Sequence, residues 1–137
     1  MADLLECLIQ IKALEHSISR LERLMSAMPG PARAPAASLV AGLVRHERTC
    51  GRLGLGRPGL TTDAGPGSAL DAFVAERRAN LAVLQACSAS ALGSAIDWPG
   101  RGPTTVADLV AIMLANDTDI AGELQRLARA TGKSLPE

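Results

Sequence analysis

Apolar residues recur every three or four positions in four separate stretches of this chain, the spacing that gathers them on one face of an α-helix. In the first, Asp3 and Glu6 form a capping-box pattern, and Leu8, Ile11, Leu14, Ile18, Leu21, Met25 and Met28 follow until Pro29. Pro29, Pro31 and Pro35 then break the chain, Pro35 suits a first helical turn, and Leu39, Leu43, His46, Cys50 and Leu53 form a second stripe that ends among Gly51, Gly54 and Gly56. Ser68 and Asp71 open a third, with Leu70, Val74, Arg77, Leu81 and Leu84. Thr105 and Asp108 open the last, through Val106, Val110, Met113, Ile120, Leu124 and Leu127 to about Ala130, with Gly132 placed to end it in the left-handed conformation.

No strand pattern separates these segments, so the expected fold class is all-α, a four-helix bundle built as one domain over residues 1–137. The Gly-rich connection 51–67 is too long for a hairpin between adjacent antiparallel helices and is expected to cross the bundle end. Its "GLGRPG" matches G-x-G-x-x-G, but it leaves a helix instead of a strand, contains Pro58 and lacks the βαβ setting that lets such a loop cradle pyrophosphate.

Composition agrees with helices. The chain is 47% apolar but 1% aromatic, with no Tyr, one Phe and one Trp, so Leu, Ala, Val and Met must build the core. Basic and acidic residues both total 14, and no basic run appears, which argues against nucleic acid as a partner. Asp3 and Glu6 stand where a signal peptide would carry Lys or Arg, so the expectation is a cytoplasmic protein without a membrane segment. Cys7, Cys50 and Cys87 are odd in number and widely spaced, which favours reduced thiols.

Three stripes each carry one polar interruption near mid-helix: His46, Arg77 and Asp117, with Asn116 on the edge of the last face. In ordinary register they share a layer, where Asp117 would accept hydrogen bonds from Arg77 or His46 and stay ionised. The bland reading is a buried ion pair with a satisfied histidine. The functional reading is a polar pocket in which His46 serves as acid or base and Asp117 orients it. A third takes His46 and Cys50, four apart, as half of a zinc site that lacks an evident second half.

The stretch from Trp98 onward resembles the DinB-like superfamily, which includes YfiT-type hydrolases, bacillithiol transferases and mycothiol-dependent maleylpyruvate isomerases. Its H-P-x-x-G-x-x-T pattern falls on Trp98, Pro99, Gly102 and Thr105, and H-D-x-x-H-x-x-Q falls on Asn116, Asp117, Ile120 and Glu123. Its H-x-x-x-x-E falls on Gly42 and Glu47. The resemblance implies a four-helix bundle with a long crossover between helices two and three, and a divalent metal held by three histidines. Here those positions are Gly42, Asn116 and Ile120, which cannot supply three imidazole nitrogens, so neither a metal nor another cofactor is expected.

Two functions follow. One is a metal-independent enzyme of isomerase, cyclase, lyase or hydrolase type, acting on a small molecule with His46, Asp117 and Glu47 as catalytic groups and Asn116, Glu123, Arg77, Gly42, Ile120 and Trp98 around the substrate. The other is a non-catalytic bundle that binds a small ligand or a partner. The emptied metal space either stays open or has collapsed around Ile120. Leu4, Leu5, Ile9 and Leu24 lie outside the first stripe and suggest a homodimer.

Overall fold

The computed structural model of the chain describes residues 4–57, 68–98 and 100–132. Asp3 of the expected first cap, most of the 51–67 connection, and Pro99 lie outside these residues.

The described chain is all-α apart from one two-residue ladder. Helix α1 spans Leu4–Ser26, α2 Arg33–Thr49, α3 Ala69–Ala86, the short α4 Ala89–Leu92 and α5 Val106–Ala130. At Ser68 and Thr105 the expected caps form. Ser68 Oγ accepts from the Asp71 amide at 3.1 Å, and Thr105 and Asp108 complete a reciprocal box at 3.1 and 2.9 Å. Gly132, at φ 82°, ends α5 in the left-handed region as expected. The ladder pairs Ala95–Ile96 antiparallel with Thr104–Thr105 and clips the α4–α5 connection just before the Thr105 cap, a feature the hydropathy pattern does not reveal.

Helix α2 ends among its glycines, as the sequence implies, but by an unexpected route. It passes into a π-helical turn, Cys50–Gly54, closed by the Leu55 amide on the Cys50 carbonyl at 3.2 Å, and the Arg57 amide then reaches the Gly51 carbonyl at 2.8 Å. Gly51 and Gly54 are buried, so this part of the 51–67 connection is packed structure. A Cβ on Gly51 would lie 2.6 Å from Asn80 Oδ1, and one on Gly54 would collide with Leu109 Cδ2. Both glycines permit close approach of neighbouring elements.

The four long helices pack cyclically: α1 against α3 and α5, and α2 against the same two. On α1 the buried face is Cys7, Ile11, Leu14, Ile18, Leu21 and Leu24. Leu8 is 50% exposed and Leu24 only 1%, so Leu24 belongs to the core and not to an outer patch. On α2 the buried face is Ala36, Val40, Leu43, Val44 and Glu47, rotated by one position from the stripe through Leu39, His46 and Leu53. The offset brings Glu47 inward, where it meets Arg77 of α3.

The apolar core forms two clusters. One holds Cys7–Ile18 of α1, Cys50, Leu81 and Leu84 of α3, and Val106–Met113 of α5; the other holds Leu21–Met28, Ala36–Val44, Phe73 and Ala121–Ala128. The seam falls on Glu47 in α2, Arg77 in α3 and Asp117 in α5. A polar layer divides the interior at mid-height.

Candidate functional site

Arg77 occupies the centre of that layer with no exposed side-chain surface. Its Nε and Nη2 donate to Glu47 Oε2 and Oε1 at 2.8 and 3.0 Å. Nη1 and Nη2 donate to Asp117 Oδ2 and Oδ1 at 2.8 and 2.6 Å, and Nη1 also reaches the Leu14 carbonyl at 3.0 Å. A guanidinium has five N–H donors, and here each has an acceptor. The Phe73 ring covers the remaining face, 4.8 Å from Cζ. Burial alone would lower the Arg77 pKa, but the hydrogen bonds and charge of Asp117 and Glu47 outweigh it and hold the guanidinium above its ordinary value. It is a permanent cation shared by three other helices.

The layer continues outward. Asn80 Nδ2 donates to the Glu47 carbonyl and to Glu47 Oε2 at 3.0 and 2.9 Å, while Arg57 Nε donates to Asn80 Oδ1 at 2.9 Å. Arg57 Nη2 and Arg48 Nε hold Glu76 at 2.5 and 3.1 Å. Three arginines, 48, 57 and 77, therefore balance three acids, 47, 76 and 117, and no buried side-chain N or O among the described residues lacks a partner. Glu76, Asn80, Arg48 and Arg57 were absent from the sequence-based site. For Glu76 and Asn80 the signal was present on α3, where Phe73, Glu76, Arg77, Asn80, Leu81 and Leu84 keep helical spacing once polar residues are admitted to the stripe; Arg48 on α2 and Arg57 beyond it carried none.

His46 stands apart from this network. Its Nδ1 lies 3.7 Å from Cys50 Sγ, its ring meets Trp98 edge-on with centroids 6.3 Å apart, and no carboxylate of the described residues is within hydrogen-bond reach. Burial lowers the imidazole pKa more than Glu47 and Asp117 raise it, so the ring is neutral at physiological pH. Cys50 is fully buried and its thiol is pushed up to about 12, chiefly by burial and then by Glu47, so the pair is thiol and imidazole and not an activated thiolate. His46 borders an open groove of about 740 Å³ with Asn116, Asp108, Asp119, Arg101 and Thr104.

A second hollow lies between α1 and α5. It encloses about 360 Å³, with Leu21, Leu24, Leu43, Phe73 and Ala121 among its walls and Asp117 at its polar end. Asp117 faces it with a side chain 9% exposed, but both carboxylate oxygens already accept from Arg77.

The other sequence-derived positions scatter. Glu47 is sealed beneath Arg77 with no exposure, and Glu123 pairs with Arg126 on the outer face of α5. Ile120 packs against the second apolar cluster, whereas Asn116 borders the groove. Gly42 has room for a Cβ, with only Arg45 Nη2 near, at 3.6 Å. The three positions where the resemblance implies metal ligands do not fit a metal, since glycine and isoleucine offer no side-chain donor. Among the described residues no group of three or more His, Cys, Asp or Glu is arranged to hold one. No described helix is long and apolar enough to cross a membrane.

No family model, no curated protein and no solved structure matches this chain.

Proposed function

We propose that this chain is a non-catalytic, small-molecule-binding four-helix bundle of DinB-like architecture, with the ligand held in the cavity between α1 and α5. The observation that carries this reading is the saturation of Arg77. All five of its donors and both Asp117 oxygens are engaged within the protein, so the polar layer braces the helices instead of presenting reactive groups. Beside that layer is a largely apolar hollow whose 360 Å³ lies within the range of roughly 300–1,000 Å³ usual for small-molecule pockets. The cyclic packing of four long helices and the long connection between α2 and α3 support the DinB-like architecture.

The test is a titration of the isotope-labelled full chain with small amphipathic molecules. Saturable amide shifts confined to the cavity-facing stretches of α1 and α5, and weakened by Ala13→Trp, are the expected result. Absence of such shifts overturns the proposal.

One observation favours a second reading, a metal-independent enzyme of isomerase, cyclase, lyase or hydrolase type. A neutral imidazole beside an open groove can take a proton, and Asn116 on the same groove offers a neutral donor. His46→Gln abolishing turnover of a substrate while sparing the fold is its test; full kcat in that variant ends the acid–base role.

The proposal includes a homodimer. Leu4, Leu5, Leu8 and Ile9 of α1 are 44 to 62% exposed, an apolar end that a symmetric copy of itself would cover. Sedimentation should show dimer at micromolar concentration and monomer for Leu8→Lys with Ile9→Lys; wild-type monomer overturns it.

A further inference from the structure

The charge around the α1–α5 cavity is one-sided. His16, Arg20 and Arg23 are spaced four and three apart on α1 and all three line the cavity, so two arginines stand side by side on its α1 flank. Neither Arg20 nor Arg23 has an ion-pair partner among the described residues, in contrast to Lys12 with Glu15 one turn earlier. The opposite wall carries one formal charge, Asp117, and both of its carboxylate oxygens already accept from Arg77. The two lining hydroxyls use their protons on their own helices: Ser17 on the Ala13 carbonyl at 3.1 Å, Thr118 on the Leu114 carbonyl at 3.1 Å. The donors left for a guest are therefore the rim cations. The interior they guard is apolar, with Leu21, Leu24, Leu43, Phe73 and Ala121 each 6% exposed or less.

Resting on the ligand-binding reading above, we infer that the ligand is an amphipathic organic acid, its hydrocarbon body in the α1–α5 cavity and its carboxylate on Arg20 and Arg23. A carboxylate suits paired guanidiniums because each fork gives it two parallel hydrogen bonds, and at a half-open rim the anion keeps part of its hydration. A cationic guest would meet two like charges and no free acceptor anion. A fully polar guest would leave the apolar walls wet and gain little from entering.

The experiment titrates the full chain by calorimetry and amide shifts with octanoate and phenylacetate, their neutral counterparts octanol and 2-phenylethanol, and octylamine. The acids should bind at least tenfold more tightly than the alcohols, octylamine more weakly still, and the preference should shrink as salt is raised. Arg20→Gln with Arg23→Gln should erase the preference for acid while octanol affinity is kept. Arg20→Lys with Arg23→Lys, which keeps the charge but not the fork, should retain part of it and also guards against misfolding of the first variant. Equal affinity of acid and alcohol for the wild type overturns the organic-acid inference and leaves the cavity reading standing. If none of the five probes perturbs the cavity-facing stretches of α1 and α5, or Ala13→Trp binds them undiminished, both readings fall.

Discussion

Arg77 and Glu47 hold each other at two points, Nε to Oε2 at 2.8 Å and Nη2 to Oε1 at 3.0 Å, and neither side chain is exposed. Removing the cation strands two carboxylates at once, because Asp117 shares it. Arg77→Met is therefore expected to destabilise the chain by ~3–5 kcal/mol in urea unfolding. A loss under about 1 kcal/mol, the range of exposed ion pairs, would mean that the layer is open to water.

Asp117→Ala should cost less. Arg77 keeps Glu47 and the Leu14 carbonyl in that variant, so the remaining centre is neutral and only two N–H donors lose their acceptor. The expected loss is about 1–3 kcal/mol, and the partly open position of Asp117 lets water take up some of it. Unfolding midpoints ordered the other way, with Asp117→Ala below Arg77→Met, would contradict the arrangement.

Gly51→Ala and Gly54→Ala should each destabilise by ~1–3 kcal/mol through overpacking, the first by pushing on Asn80 and Arg57, the second on Leu109. Gly30→Ala is the control: nothing lies within 4 Å of its added Cβ, and the change should stay within about 0.5 kcal/mol. Thermal or urea unfolding of the three variants separates contact glycines from connection glycines.

The pH dependence should carry a His46 signature. Its folded pKa is lowered by burial while its unfolded value is near ~6.5, so the unfolded state binds more protons between the two values. Stability contributed by the neutral ring is present above ~6.5 and is lost as pH falls through the window down to the lowered folded value. Urea midpoints of wild type and His46→Gln should therefore converge as pH falls from 7.5 into that window, by about the proton linkage of one histidine. Parallel curves would show that His46 titrates as a solvated side chain.

How far the sequence reaches is clearest element by element. The Ser68 and Thr105 caps, the Gly132 stop and the alternation of apolar residues on α1, α3 and α5 are local chemistry, encoded by neighbours within four positions, and they specify the all-α class directly. The pairing of Arg77 with Asp117 was also within reach, because a charge in the middle of an apolar stripe needs a partner. Which other groups would join it was not. Glu47 lies 30 residues from Arg77, Arg57 lies 19 from Glu76, and Arg57 is brought inward only because Gly51 leaves room beside it. Likewise His46, aligned with the stripe on paper, lies beside the buried face of α2 and not within it, against Cys50 and Trp98. Periodicity tells which face of a helix is apolar. The rotation of each helix about its axis, and hence which polar side chains meet and which line a cavity, is decided when all the faces pack at once, since burial is shared among four helices and hydrogen-bond geometry tolerates only tenths of an ångström.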